Sequence, residues 1–270
     1  MREESARVVG FGQALAEQVR WFWHRQWVWI VVVTVLTAGA AAWIIASIPE
    51  DGAFFAPMLV GSAFHPLLVL IALSWAFSAW RDDPPKDRQY FWLHPVGRAS
   101  HTIARSLAAF LWLALVVAIV VATVYISTRV MHGTEALTPR LWLYLGAAIA
   151  LAYFSSSVAP ILSNRPGAWV VLVIAIVVLA GAIGTIREIE WLKDFASVFQ
   201  GGPRSFGTAL GSPGYEAARF IQANMPGPGQ PFDSPQMERL GAAEPGTALL
   251  VWLPIALAAW VAAAFASRPR

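Results

Sequence analysis

The sequence predicts an all-α polytopic membrane protein with six transmembrane helices, an N-terminal interfacial helix and an extracytoplasmic, helical or irregular cap before the last span. Of the 270 residues, 57% are hydrophobic and only 13% are charged, whereas soluble domains have about a quarter of their residues charged. Six stretches reach the roughly 20 mainly apolar residues that cross a bilayer. The 14 tryptophans suit the headgroup boundary, where indole rings are enriched. Residues 1–270 are therefore predicted to form a single transmembrane domain.

The first 26 residues are predicted to form a helix along the membrane surface. Apolar residues recur there at helical spacing, and Arg20 and Arg25 can face the lipid headgroups. The apolar positions are Phe11, Leu15, Val19, Phe22 and Trp23. A signal peptide is disfavoured because the next apolar run is a full span rather than a short hydrophobic region.

Six apolar segments are predicted to cross the bilayer. They lie at about 27–48, 56–80, 106–128, 141–163, 168–186 and 247–266. Pro57, His65 and Pro66 interrupt the second. A kink is expected at Pro66, because proline lacks a backbone donor and frees a carbonyl one turn earlier. The fifth segment is apolar throughout but short.

Basic residues predict the orientation of these spans. The N-terminus, the 81–105 loop, the 164–167 turn and the C-terminal tail carry 12 Lys and Arg together, against 2 in the short connections of the other face. Short cytoplasmic connections are the ones enriched in Lys and Arg, while long segments cross largely regardless of charge. The cytoplasmic membrane, with both termini and the 81–105 loop cytoplasmic, is therefore the expected location.

The long 187–246 segment is expected outside the cytoplasm. Ile189, Leu192, Phe195 and Phe199 form one apolar stripe of a predicted amphipathic helix. A run dense in turn formers follows, then a helical candidate, YEAARFIQAN, behind Ser212-Pro213. The interspersed aromatic and aliphatic residues predict a small cap packed on the outer membrane face.

The 81–105 loop, RDDPPKDRQYFWLHPVGRASHTIAR, is the largest charged interruption in the first two-thirds of the chain. It surrounds the aromatic run Tyr90-Phe91-Trp92-Leu93, which His94-Pro95-Val96-Gly97-Arg98 ends. Long apolar segments hold both of its ends at a membrane face. We interpret it as the place where a soluble partner acts on the membrane domain.

Signatures of common enzyme chemistry are missing from the sequence. It contains no GxxxxGK[ST], HExxH or GxSxG, so this chain is not expected to be an enzyme or to hold a cofactor. With no cysteine, thiol chemistry is excluded. His94 and His101 are favoured as loop or interfacial residues, so no metal site is predicted. The net charge of +3 and the loop placement of basic residues disfavour nucleic-acid binding.

Two polar residues inside spans are candidates for a translocation path. Buried ionisable groups are costly in a bilayer, which makes His65 a functional candidate. The alternative is a neutral imidazole that satisfies the backbone broken by Pro66. Ser156, within Ser155-Ser156-Ser157, can line a cavity or bond to its own helix. Any substrate path is expected to be hydrophobic.

This organisation resembles the ABC-2 type permease family. A surface helix before the first span, six spans, both ends inside, a loop of this kind and a large outer segment before the last span are shared features. Pro95-Val96-Gly97-Arg98 and Arg105 stand where the family has a Pro-Val/Ser-x-Arg element before a basic residue that opens the third span. In place of a Glu and a Gly-Thr pair, this chain has Asp82-Asp83, Pro84-Pro85 and the aromatic run.

The resemblance implies a coupling helix in the loop that docks on a cytoplasmic ABC ATPase, which binds ATP and Mg²⁺ itself. Asp87 would begin this helix, Tyr90, Phe91 and Leu93 would fill a pocket, Pro95 would end it, and Arg98 would hold a headgroup or an acidic ATPase surface. It also implies a second permease subunit, identical or related, and export.

Two other classes of protein remain open. A non-transporting membrane scaffold or regulator would use the same loop to hold a partner without ATP. A membrane enzyme acting on lipid-like substrates would need a cluster of acidic residues or histidines. Glu188, Glu190 and Asp194 form the densest acidic group outside the 81–105 loop, and they resemble the solvent side of an amphipathic helix.

Overall fold

The computed structural model describes residues 10–48, 59–81, 98–132, 138–163, 166–200, 202–224 and 244–266. These residues form nine α-helices, one of them preceded by a π-helical turn, with no strand among them. The helices are α1 (Phe11–Ala46), α2 (His65–Arg81, after the π turn Val60–Phe64), α3 (Arg98–His132), α4 (Pro139–Leu162), α5 (Pro166–Arg187), α6 (Glu190–Gln200), α7 (Phe206–Leu210), α8 (Ser212–Asn224) and α9 (Pro245–Ala266).

Four of these helices are long and apolar enough to cross a membrane: α1, α3, α4 and α9. Two shorter apolar helices, His65–Trp80 and Val173–Arg187, overlap the predicted second and fifth spans. Large apolar side chains such as Trp43, Leu250 and Phe265 are more than 70% exposed. A water-soluble surface rarely carries so much exposed apolar area, so the chain is a membrane protein.

Helix α1 differs from the prediction. The sequence predicts a surface helix up to residue 26 and a separate span from 27, but one helix runs from Phe11 to Ala46. No Gly or Pro lies between Gly12 and Gly39 to break it. Its first half also packs on α3, where Trp23 stacks on Trp112 at 4.8 Å. Residues 1–9 of the predicted surface helix lie outside the described residues.

The 81–105 loop ends earlier than predicted, because the next helix begins before residue 105. Helix α3 begins at Arg98, so residues 98–105 form its first two turns. The helix can start there because Pro95 and Gly97, which disfavour helix interiors, precede it. Residues 82–97 lie outside the described part of the chain.

The main core joins α1, α2, α3, α4 and α9. Helix α1 packs mostly on α3, while α4 packs on both α2 and α9. Helix α5 packs mostly on α6 and much less on α4, so it stands at the edge of the bundle. The α5–α6 turn is tight: Glu188 has a left-handed φ of 55°, and Ile189 N–H donates to the Gly184 carbonyl at 3.0 Å.

Part of the predicted cap packs directly into the helix bundle. Helix α8 lies against the π turn and α4, while α7 lies against α9 and α4. Ser205, whose Oγ accepts from Thr208 N–H at 3.0 Å, begins α7. Ala209 and Ser212 are fully buried. The amphipathic helix predicted after residue 187 is present as α6.

Candidate functional site

The first candidate site is a buried arginine where α1, α2 and α3 meet. Arg105 is 1% exposed, and its Nε donates to the Ala79 carbonyl at 2.7 Å. Its guanidinium lies 4.5 Å from the ring centroid of Trp21 and 5.1 Å from that of Trp80. Both distances fall within the roughly 6 Å range of cation–π attraction. One side chain therefore joins three helices.

The contacts of Arg105 explain how a charged group is tolerated there. A guanidinium needs several acceptors and gains from stacking on aromatic faces. A buried charge costs several kcal/mol unless such partners replace its hydration. The end of α2 supplies a carbonyl and an indole, and α1 supplies a second indole. A lysine at this position would lose the planar stacking.

Tyr153 extends the contacts of this arginine to α4. Its buried hydroxyl donates to the carbonyl of Ser106, the residue after Arg105, at 2.7 Å. Its ring lies 5.3 Å from that of Phe110. Phe154 next to it lies 5.0 Å from Trp260 on α9. We call Arg105, Trp21, Ala79, Trp80 and Tyr153 the Arg105 cluster. Through Phe154 and Trp260, its packing continues to α9, the last helix.

The Arg105 cluster lies at both ends of the predicted coupling segment. Ala79 and Trp80 are within the last turn of α2, which ends at Arg81, and Arg105 is two turns into α3. Arg98 is the first residue of α3. Asp87, Tyr90, Phe91, Leu93 and Pro95 lie outside the described residues, so their proposed contacts stay predictions.

A second polar feature surrounds His65 at the start of α2. The π turn at Val60–Phe64 precedes it, and its backbone N–H bonds to the Val60 carbonyl. Pro66 cannot donate to the preceding turn, which favours such a local widening. His65 is 7% exposed, and its Nε2 has no hydrogen-bond partner in the described structure.

Helix α8 closes tightly over this turn. A Cβ on Gly61 would stand 2.9 Å from the Ala217 Cβ and 2.9 Å from the Pro213 carbonyl oxygen. Only a glycine allows this approach without movement of the backbone. The π turn and α8 thus form one packed unit, although they lie about 150 residues apart in the sequence.

Ser156 lines a cavity of about 480 Å³ between α2, α4, α5 and α7. Its hydroxyl donates to the Ala152 carbonyl of its own helix at 2.6 Å. Ser155 bonds in the same way to Leu151 at 2.6 Å. Both predicted alternatives for Ser156 therefore hold in the geometry: it bonds to its own helix and it lines a cavity. His65 is not among the lining residues.

Arg204, which precedes α7, is connected to the start of α9 by an ion pair and to Trp252 by an indole hydrogen bond. Arg204 Nε donates to Glu244 Oε2 at 2.7 Å, and Trp252 Nε1 donates to the Arg204 carbonyl at 3.0 Å. Phe199 and Phe206 lie 6.0 and 5.4 Å from Trp252. The hydrogen bond from Arg204 lowers the pKa of the Glu244 carboxyl and raises the pKa of the Arg204 guanidinium.

The acidic group considered for an enzyme lies on α6 and the turn before it. Lys193 Nζ pairs with Glu190 at 2.9 Å on the exposed side of the helix, as a solvated face predicts. Within the described ranges, no group of three His, Asp or Glu is placed to hold a metal ion.

Comparison of the chain with protein-family models, with curated proteins and with solved structures gave no match. The resemblance to ABC-2 permeases therefore still depends on the motif and topology described above.

Some contacts in these sites could not be predicted from the sequence. Arg105 was identified as the opening of a span, but its partners Trp21 and Trp80 are 84 and 25 positions away and carry no motif. An arginine beside an apolar run, in a chain rich in tryptophan, was the available signal. Nothing in the sequence indicated that Phe206 and Leu210 of α7 complete a cavity with α4.

Proposed function

We propose that this chain is the membrane-spanning permease subunit of an ABC transporter that exports its substrate. A separate cytoplasmic ATPase, which holds ATP and Mg²⁺, drives it by docking on the 81–105 loop. The loop and both termini are cytoplasmic, and α2 and α5 complete six spans of the cytoplasmic membrane. A second permease subunit, identical or related, completes the translocation path.

The observation that carries this proposal is the Arg105 cluster. Force applied to a loop moves a membrane domain only if the ends of the loop are attached to more than their own helices. Here the end of α2 and the start of α3 are joined through Arg105 and Trp80 to each other and to Trp21 of α1. The hydrogen bond from the Tyr153 hydroxyl to the Ser106 carbonyl connects α3 to α4 as well.

The loop composition supports docking of a protein rather than of lipid alone. Tyr90, Phe91 and Leu93 are large anchors of the kind that dominate interface energies when they enter a pocket. An aromatic belt at the membrane boundary explains Trp92, but it does not explain why five basic and three acidic residues gather in the same 25 positions.

The test is co-expression of the chain with the ATPase encoded beside it, followed by purification in mild detergent. We expect the two proteins to co-purify and this chain to stimulate ATP hydrolysis. Replacing Tyr90 and Phe91 by alanine should reduce co-purification at least tenfold, as expected for loss of about 1.4 kcal/mol or more of interface energy. Trp43→Ala, at an exposed position near the far end of α1, is the control and should have no effect.

The outcomes separate the classes of protein. Absence of a complex with the unaltered chain contradicts the transporter proposal. A complex that depends on Tyr90 and Phe91 but leaves ATP hydrolysis unchanged indicates the scaffold instead.

A further inference from the structure

The cavity between α2, α4, α5 and α7 has a defined chemical character. Its volume of about 480 Å³ lies in the range of about 300–1,000 Å³ of small-molecule sites. Helix α4 forms the longest wall, and Phe206 and Leu210 of α7 form another. Among the described lining residues, none is ionisable, and the polar ones are Ser155, Ser156 and Ser163.

These serines restrict which ligands fit. The hydroxyls of Ser155 and Ser156 donate their protons to the carbonyls of Leu151 and Ala152, respectively. A hydroxyl has one proton and two lone pairs, so both serines can still accept a hydrogen bond. A neutral hydrogen-bond donor, such as an alcohol hydroxyl, therefore finds an acceptor in the cavity wall. A charged group would lose its hydration without a charged partner in the described wall.

The cavity opens toward the outer surface of the helix bundle. Leu162, Val173 and Ile174 line it and are also 42%, 51% and 57% exposed. These residues belong to α4, a candidate membrane span, and to α5, the apolar helix at the edge of the bundle. The surroundings of such residues are hydrocarbon rather than water. A ligand can therefore enter sideways from the bilayer.

A polar atom lies next to this wall without a partner. His65 precedes Val69 by one helical turn on α2. Val69 and Leu210 both line the cavity. The buried Nε2 of His65 has no hydrogen-bond partner in the described structure, which adds a second polar position near an otherwise apolar space.

We propose that this cavity binds one hydrocarbon chain of an uncharged, hydroxyl-bearing amphiphile that enters from the surrounding lipid. The hydrocarbon chain of the ligand contacts the apolar walls on α2, α4 and α7, and the hydroxyl of the ligand donates a hydrogen bond to Ser155 or Ser156. This binding is a property of one subunit and does not depend on the proposed transport function.

The experiment uses the full chain in phosphatidylcholine vesicles and a long-chain alcohol with a photoactivatable diazirine in its tail. After irradiation, mass spectrometry locates the label. We expect label on cavity-lining residues of α4 and α7, with competition by unlabelled hexadecanol. Competition by hexadecyltrimethylammonium should be at least tenfold weaker, because its charge has no partner in the wall.

Matched tryptophan variants test the site itself. Ile174 and Leu179 on α5 are equally exposed, at 57% each, but only Ile174 lines the cavity. Ile174→Trp should therefore lower competed labelling at least fivefold, while Leu179→Trp leaves it unchanged. Ala159→Trp fills the cavity from α4 and should have the same effect, with the lipid-facing Leu143→Trp as its control.

Three results would overturn the proposal: label spread over lipid-facing residues without competition, equal competition by the cationic amphiphile, or unchanged labelling in both Ile174→Trp and Ala159→Trp. Circular dichroism and thermal melting show whether each variant is folded. Because Ile174 is half exposed, a tryptophan there is expected to be tolerated. Ile174→Trp therefore still tests the site if Ala159→Trp does not fold.

Discussion

At the scale of single residues, Arg105 has the most distinctive environment in the described structure. It is the largest side chain buried to 98% or more, and it contacts residues of two other helices. The Ala79 carbonyl and the two indoles that it contacts lie on α1 and α2, so the stabilisation from these contacts exists only when these helices are assembled.

We expect Arg105→Lys to destabilise the folded chain by about 2 kcal/mol, because the ammonium keeps the charge but loses the guanidinium stacking and the Nε bond. The free energy of unfolding in mixed detergent micelles measures this loss. Arg129→Lys is the matched control on the same helix. Arg129 is bonded at 3.3 Å to the exposed Tyr125, and its replacement should change stability by less than about 0.5 kcal/mol. Equal effects of the two exchanges would contradict the structural role of Arg105.

The exposed pair Arg204–Glu244 gives a pH dependence of defined sign. The bond from Arg204 lowers the pKa of Glu244, so the folded state favours the carboxylate more than the unfolded state does. The stabilisation is complete above the ordinary glutamate pKa and is lost as the pH falls through the lower pKa of the folded state. The stability difference between the unaltered chain and Glu244→Gln should be present at pH 7 and disappear in this acidic window.

Salt provides the check on this interpretation. Both side chains are solvent-accessible, so 1 M NaCl should reduce the difference at pH 7. A difference that persists at low pH would show that the carboxylate charge is not its cause.

At the scale of elements, the long apolar helices were predictable to within about ten residues at each end, except for the start of α1, because lipid requires continuous apolar runs. Helix α4 occupies 139–162 where 141–163 was predicted, and α9 occupies 245–266 where 247–266 was predicted. The continuity of α1 was missed. Arg20 and Arg25 suggested a surface location, whereas Phe22 is buried near Trp75 at 6.0 Å.

The sites were less predictable than the spans because they depend on contacts between distant segments. Ser156 and His65 were recognisable as polar residues within apolar runs. That α8 would cover the π turn, and that α7 would complete the cavity, depends on glycine contacts and helix packing that no local pattern encodes. Gly61 has no sequence signature that distinguishes it from Gly146.

These two glycines provide an element-scale prediction. Gly61→Ala should destabilise the chain by about 1–3 kcal/mol, because the added methyl overlaps α8 and forces the backbone to shift. Gly146→Ala in α4, where a Cβ meets nothing within 4 Å, should be neutral or stabilising by up to about 1 kcal/mol. The comparison uses the free energy of unfolding in the same micelles. If Gly61→Ala is as stable as Gly146→Ala, α8 does not pack on the π turn as described.

At the scale of the whole molecule, the two candidate regions lie at opposite ends of one helical unit. Gly61 contacts α8 and Ala79 contacts Arg105, and the 18 positions between them correspond to about 27 Å of helix. This length approaches the roughly 30 Å thickness of the hydrocarbon core. The 81–105 loop and the α7–α8 region are therefore expected on different sides of the membrane.

The lack of cysteine in this chain allows a direct test of that arrangement. Lys86→Cys places a thiol in the 81–105 loop. Arg129→Cys places one at the far end of α3, 24 positions after Arg105, or about 36 Å of helix. In intact cells, a membrane-impermeant maleimide should label Arg129→Cys and leave Lys86→Cys unlabelled until the membrane is opened. This expectation follows from the excess of Lys and Arg on one set of short connections, since connections rich in Lys and Arg tend to stay in the cytoplasm. Labelling of Lys86→Cys from outside would place the loop away from any cytoplasmic ATPase and exclude the transporter proposal. Labelling of both thiols from one side would instead contradict the assignment of α3 as a membrane span.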